Sequence, residues 1–324
     1  MASQRFQRGA RQPMVGGSVI LLAIVLAACG SSNVVPTANS SAAVALASPS
    51  ASPAPSASPS ASPSPSPTPS PSPTATLAPT PSPTPALALK HCTGSKGRAS
   101  TTLFSNKDKY FAGYLDTGSS NTVTCVEASW IQPAITCAAG DSKSDAVIYS
   151  GIGGTNGKGT TVADERSEKA ATESYCFDGV PNYLAFTSAL AAKNGFKLAP
   201  FDVAVHDQIW TQVRVSGHAF TMTIADLTSG EIMSNVVTVK DAIREDAQWE
   251  VQGPEYGCPK KCAPGPLAKF EPVTFTGTEA VIGGALQTVD RWAHQVTTMA
   301  TGSVKRAAPS KLGVGTFTDT WLHK

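Results

Sequence analysis

The chain has 324 residues, with 25 Lys and Arg against 23 Asp and Glu. Only Arg5, Arg8, Arg11 and Lys90 are charged before His91, so residues 91–324 carry 21 basic against 23 acidic side chains, a balance of −2. That balance, with no basic run, argues against a nucleic-acid partner. The sequence also has no zinc-type Cys/His spacing and no Gly-rich phosphate loop, so neither metal nor cofactor is expected.

The first element is a targeting segment. Arg5, Arg8 and Arg11 precede the apolar run Val19-Ile-Leu-Leu-Ala-Ile-Val-Leu26. That run is too short to span a bilayer and is closed by small residues, as in a signal peptide. Its end, Leu26-Ala-Ala-Cys29-Gly30, resembles a bacterial lipobox. The resemblance implies that residues 1–29 form a lipoprotein signal and that Cys29 is lipidated, with acyl chains as the only membrane contact. Residues 30–90 follow as a linker of Ser, Pro, Ala and Thr, charged only at Lys90. With almost no large apolar side chain it has nothing to bury, and it is expected to be disordered. Its proline repeats run over residues 49–85. In polyproline II, at ~3.1 Å per residue, they would reach on the order of 110 Å. The expected location is the outer face of the bacterial membrane, with the rest displayed through the cell wall.

Residues 91–324 suit one folded domain, expected to be monomeric. Its six cysteines, Cys92, Cys125, Cys137, Cys176, Cys258 and Cys262, suggest disulfides in an exported protein. Six cysteines allow fifteen pairings; Cys258 with Cys262 would close a short local loop and is the first pair expected. The patterning is mostly β. Residues 122–130, 146–149, 208–215, 220–224, 236–239 and 273–276 are rich in β-branched and aromatic side chains. Ile209, Thr211, Val213 and Val215 alternate with Trp210, Gln212 and Arg214, which predicts a strand with one buried face. Gly, Asn, Asp and Pro punctuate the runs. The one helical window is Ser188-Ala-Leu-Ala-Ala-Lys193, a turn or two. Short strands at even spacing predict an all-β sandwich.

Leu115-Asp116-Thr117-Gly118-Ser119-Ser120-Asn121 is similar to the active-site loop of pepsin-like aspartic proteases. That chemistry needs two aspartates sharing a proton, and no second Asp-Thr/Ser-Gly follows at a suitable distance. The plain reading is a polar turn between strands.

A longer likeness runs in order through the domain. Tyr110-Phe-Ala-Gly-Tyr114 and Val126-Glu-Ala-Ser-Trp130-Ile-Gln-Pro133 resemble the opening NWAGY and W-x-x-P of the glutamic peptidase (eqolisin, peptidase A4) family. Ala146-Val-Ile-Tyr-Ser-Gly-Ile-Gly-Gly154 resembles its WVGIGG strand, and Val205-His-Asp-Gln-Ile209 its V-x-x-GD-x-I. Phe220 to Gly230, Ala247-Gln248-Trp249, Leu267 to Phe275 and Ala308 to Trp321 resemble the family's later segments. The resemblance implies a concanavalin A-like double-sheet antiparallel β-sandwich of the lectin and glucanase type. It also implies metal-free acid endopeptidase chemistry: a Glu acts as general base on water, and a Gln amide holds the water and the developing oxyanion. An extended protein or peptide chain would lie on a concave sheet.

The sequence departs from that pattern at both catalytic places. The family's Glu is the middle residue of AEW, and here it is Gln248, whose amide cannot take a proton from water. The family's Gln lies in a segment like L-V-Q-x-G-T-E. Setting Ser167-Glu168 against its T-E places Asp164 at the Gln position, with Glu165 beside it. Two readings follow. The dyad has decayed and the concave sheet is kept for binding extended peptide or glycan, or it is swapped, with Asp164 or Glu165 supplying the carboxylate and Gln248 the amide. Phe111, Tyr183 and Phe186 match aromatic positions of the family's substrate-binding face.

Overall fold

The computed structural model describes residues 88–97, 102–154, 167–189, 192, 195–256, 263–292 and 294–323. The proposed signal, Cys29, most of the linker, Asp164, Glu165, Cys258 and Cys262 lie outside the described residues. Fourteen strands of six residues or more account for most of the described chain. They are β1 (Leu103–Asp108), β2 (Phe111–Thr117), β3 (Val123–Ile131), β4 (Asp145–Gly153), β5 (Glu168–Phe177), β6 (Val180–Ala189) and β7 (Gln208–Ser216). Then come β8 (Ala219–Asp226), β9 (Glu231–Thr238), β10 (Asp246–Gln252), β11 (Val273–Ile282), β12 (His294–Thr301), β13 (Val304–Pro309) and β14 (Thr316–Trp321).

Hydrogen-bonded pairing resolves these into two faces of one sandwich. The first sheet runs β1–β12–β2–β10–β4–β5–β6, antiparallel except for the parallel β1–β12 pair. The second runs β14–β11–β3–β7–β8–β9, antiparallel throughout. Strand β13 pairs with both β12 and β14 and so joins the sheets along one side.

Alternation decides what lies between the sheets. In β10, Ala247, Trp249 and Val251 point inward and are fully buried, while Gln248, Glu250 and Gln252 take the other face. In β7 the alternation expected from Ile209, Thr211, Val213 and Val215 is the observed one: these four belong to the buried side. Trp130 and Trp249 fill the middle, and each indole N–H finds a partner, Trp130 Nε1 donating to Thr172 Oγ1 at 3.3 Å and Trp249 Nε1 to the Glu127 carbonyl at 2.9 Å. Such pairing lets a large aromatic be buried without orphaning its polar atom.

Of the helical window, Ala192 N–H donates to the Ala189 carbonyl at 2.8 Å, a single turn, and residues 190, 191 and 193 lie outside the described residues. Ser188 and Ala189 complete strand β6, bonded to Lys169 and Glu168 of β5; sheet pairing overrides the helix preference of the alanines. Two disulfides are formed among the described residues, Cys92–Cys125 and Cys137–Cys176, which selects among the pairings left open.

Candidate active-site face

The outward face of the first sheet is built in rows by strand register. One row reads Leu115, Gln248, Gly151, Lys169, Ser188 across β2, β10, β4, β5 and β6. The next reads Gly113, Glu250, Tyr149, Ala171, Phe186. Directly paired residues point to the same side, so Gln248 and Lys169 flank Gly151, which has no side chain to separate them.

The glycines of this strand explain its sequence. A Cβ on Gly153 would stand 2.6 Å from Gln248 Nε2, so the Gln248 amide lies over that glycine. A Cβ on Gly151 would press on the Glu168 carbonyl at 3.1 Å and Lys169 Cβ at 3.3 Å.

Tyr149 is the centre of the polar contacts. Its hydroxyl donates to Glu250 Oε2 at 2.5 Å and lies 3.4 Å from Gln248 Oε1. The hydroxyl has one proton, and the shorter contact to a carboxylate is the stronger one. Lys169 Nζ donates to Gln252 Oε1 at 2.8 Å and sits 4.4 Å from the Tyr149 ring centroid, a cation–π distance. Gln248 is 0 % exposed and Glu250 1 %, and Gln248 Nε2 has no hydrogen-bond partner among the described residues. A buried amide nitrogen in that state is unusual and costly.

Beside the polar group is an apolar cluster of Tyr110, Phe111, Tyr149, Ala171 and Phe186, with Phe196 packed at 5.3 Å on Phe186. Phe196 and Leu198 are exposed at the sheet edge. Of the three aromatics expected to meet substrate, Phe111 and Phe186 are on this face. Tyr183 is not: it pairs with Ser174 on the inward side, packs against the interior, and its hydroxyl accepts from Ile135 N–H at 3.1 Å. Tyr183 and Phe186 are three residues apart in one strand, and strand parity sends them to opposite faces.

Between the sheets lies a set of buried acids, Asp116 and Glu168 on the first sheet and Asp319 on β14 of the second. Asp116 and Asp319 are 0 % exposed, neither oxygen of either has a hydrogen-bond partner among the described residues, and burial holds both well above the usual carboxylate range. The nearby Asp290 and Asp246 push Asp116 further in the same direction. Glu168 is pushed up to about 8 by burial, against the opposing pull of its own backbone N–H and the Lys169 charge. Asp116 therefore closes strand β2 inside the sandwich. The residues after it form a turn, with Asn121 at φ 64° and Thr122 N–H donating to the Ser119 carbonyl at 3.1 Å. This is the polar-turn reading of that motif.

Lys169 was not singled out in the sequence. The signal for it is Thr172-Glu173, which matches the T-E of the L-V-Q-x-G-T-E pattern and then sets Lys169 at the Gln position. Lys169 lies across Gly151 from Gln248.

The sequence profile of the Peptidase A4 family matches residues 109–311, more than half of the chain. The chain belongs to the peptidase A4 family. Among solved structures it is similar to scytalido-glutamic peptidase with a peptide-based transition state analog, at 19 % identity and a TM-score of 0.54 over 66 % of this chain and 99 % of that one. It is likewise similar to SCP-B, a member of the eqolisin family in complex with the tripeptide Ala-Ile-His, at 19 % identity and a TM-score of 0.53 over the same shares. At this identity the likeness shows the fold, the two-sheet sandwich expected from the sequence. Comparison with curated proteins finds no match.

Proposed function

We propose that this is a surface-displayed A4-family domain in which the catalytic dyad has decayed and the concave sheet binds an extended peptide without cleaving it. One observation carries the reading: the residue at the general-base position is Gln248, fully buried, with its carbonyl oxygen near Tyr149 and its amide over Gly153. An amide cannot accept the proton of an attacking water. Across Gly151 from Gln248 stands Lys169, a cation engaged with Gln252 and the ring of Tyr149. Peptide binding is supported by the exposed Phe196 and Leu198 at the sheet edge, backed by the buried Phe186 and, a row away, Phe111. An extended ligand takes alternate side chains into such a surface. On this reading the domain is a monomer held to the membrane by lipid on Cys29 and spaced from it by residues 30–90.

The test is binding of an apolar, extended peptide followed by mass spectrometry of the recovered peptide. The expected result is saturable binding, intact peptide, and about a tenfold loss of affinity in Phe186→Ala, equivalent to ~1.4 kcal/mol. No binding by the folded chain, or the same affinity in the variant, overturns this proposal.

A second reading, an acid endopeptidase with a displaced carboxylate, is favoured by one contact. Glu250 brings a carboxyl to the same face as the Gln248 amide, and the Tyr149 hydroxyl reaches both. Asp164 and Glu165, the other carboxylates considered for a swapped dyad, lie outside the described residues. Acid-dependent cleavage abolished by Glu250→Gln would establish the Glu250 form. Loss in Asp164→Ala or Glu165→Ala instead would establish the swapped form.

A further inference from the structure

The start of the described chain is bound to the outer face of the second sheet, the side away from the candidate site. Glu127, 4 % exposed on β3, accepts from Cys92 N–H at 2.8 Å and Gln212 Nε2 at 2.7 Å, and its other oxygen meets His91 Nδ1 at 2.9 Å. Gln212 Nε2 also donates to the Lys90 carbonyl at 2.7 Å. Arg214 Nη2 donates to the carbonyls of Lys90 at 3.1 Å and His91 at 2.8 Å. The His91 ring stands edge-on to Trp210 at 5.8 Å, and the Cys92–Cys125 disulfide closes the attachment. These contacts form a built cradle for extended backbone, made of side-chain donors aimed at main-chain carbonyls.

The cradle does not end with Lys90. Ala88, Leu89 and Lys90 form one wall of a groove of about 400 Å³ whose floor is Trp210, Thr221, Thr223, Ile232 and Ser234. Ile232 is 45 % exposed, and Val236, beyond Ser234 on the same face of β9, is 64 % exposed. The groove therefore offers an indole, an aliphatic side chain and hydroxyls, with the chain itself entering from one end.

We propose that this groove is the docking site of the chain's own proline-rich segment just before Ala88, residues 79–87, so that the linker is led along the outer face of the second sheet. The sequence there is Pro-Thr-Pro-Ser-Pro-Thr-Pro-Ala-Leu. A polyproline segment presents free carbonyls and proline rings but few N–H groups, so it loses little by lying on a surface that offers hydroxyl donors and apolar faces. Its stiffness lowers the entropy lost on docking. Covalent attachment at Ala88 makes the encounter intramolecular, so a weak contact suffices. A docked linker would hold the attachment point on the face opposite the concave sheet and leave that sheet open to its ligand.

The experiment uses the full chain with labelled isoleucine δ1 methyl groups, compared with a chain of equal length whose Pro79, Pro81, Pro83 and Pro85 are replaced by Gly and Ser. The expected result is cross-relaxation between the Ile232 methyl and proline ring protons, together with a shift of that resonance, both lost in the replaced chain. The buried Ile148 and Ile224 methyls, unmoved, report that the fold is kept. An Ile232 resonance identical in the two chains overturns the proposal. So does a shift that grows with protein concentration, which would mean that a second copy fills the groove.

Discussion

Raising the pH is expected to unfold this domain from within. Glu168, Asp116 and Asp319 sit between the sheets, and burial favours their neutral forms. In the unfolded chain they release their protons near the ordinary carboxylate range, while the folded chain keeps them. The folded state therefore binds more protons, and its stability is complete at acid pH and falls as the pH climbs. For Glu168 the window runs from its ordinary 4.5 to about 8. At ~1.4 kcal/mol per pH unit, Glu168 alone removes roughly 5 kcal/mol across that window. That is comparable to the whole stability of an ordinary domain, about 5–15 kcal/mol. Asp116 and Asp319 act in the same direction. The assay is urea unfolding of the chain and of Glu168→Gln at a series of pH values between about 4 and about 8. The midpoint should fall steadily with pH in the parent and less steeply in the variant, which has no proton to lose. A midpoint that is flat or rises over that range, or an equal slope in the variant, refutes the reasoning.

Other consequences are more local. Gly113 has φ +144°, and a Cβ there would stand 2.2 Å from the Trp249 carbonyl oxygen, which is backbone and cannot yield. Gly113→Ala should cost about 3 kcal/mol or more in urea unfolding. Replacing Cys92 and Cys125 by serine opens a crosslink between residues 33 apart, and the chain-entropy estimate is a loss of about 4 kcal/mol, readable as a lower unfolding midpoint. Tyr149→Phe removes the 2.5 Å donor to Glu250 and should cost about 1–3 kcal/mol by the same assay.

Some of this fold is legible in the sequence for a simple reason. Strand β7 places Ile209, Thr211, Val213 and Val215 at every second position, and that face packs into the interior. Strand β5 is harder to read: Ala170 and Thr172 face inward, Lys169, Ala171 and Glu173 outward, and both sets are small or polar. Its identity comes from pairing with β4 and β6, which a local pattern does not carry. The same limit separates the two halves of the site. Gln248 stands between Ala247 and Trp249, whose inward burial marks its face. Lys169 meets that face only through the register of β10, β4 and β5. Tyr183 is an intermediate case: its spacing from Phe186 puts the two on opposite faces, and the register of β6 on β5 makes Tyr183 the inward one.

The central claim, that an amide at position 248 leaves this A4-family domain without its general base, is tested most directly by incubating the full chain with a denatured protein from about pH 2 to about pH 7. Pepstatin is present in half the samples and Gln248→Ala runs in parallel. The account predicts intact substrate at every pH from folded protein. Acid-dependent cleavage that ignores pepstatin and disappears in Gln248→Ala would contradict it.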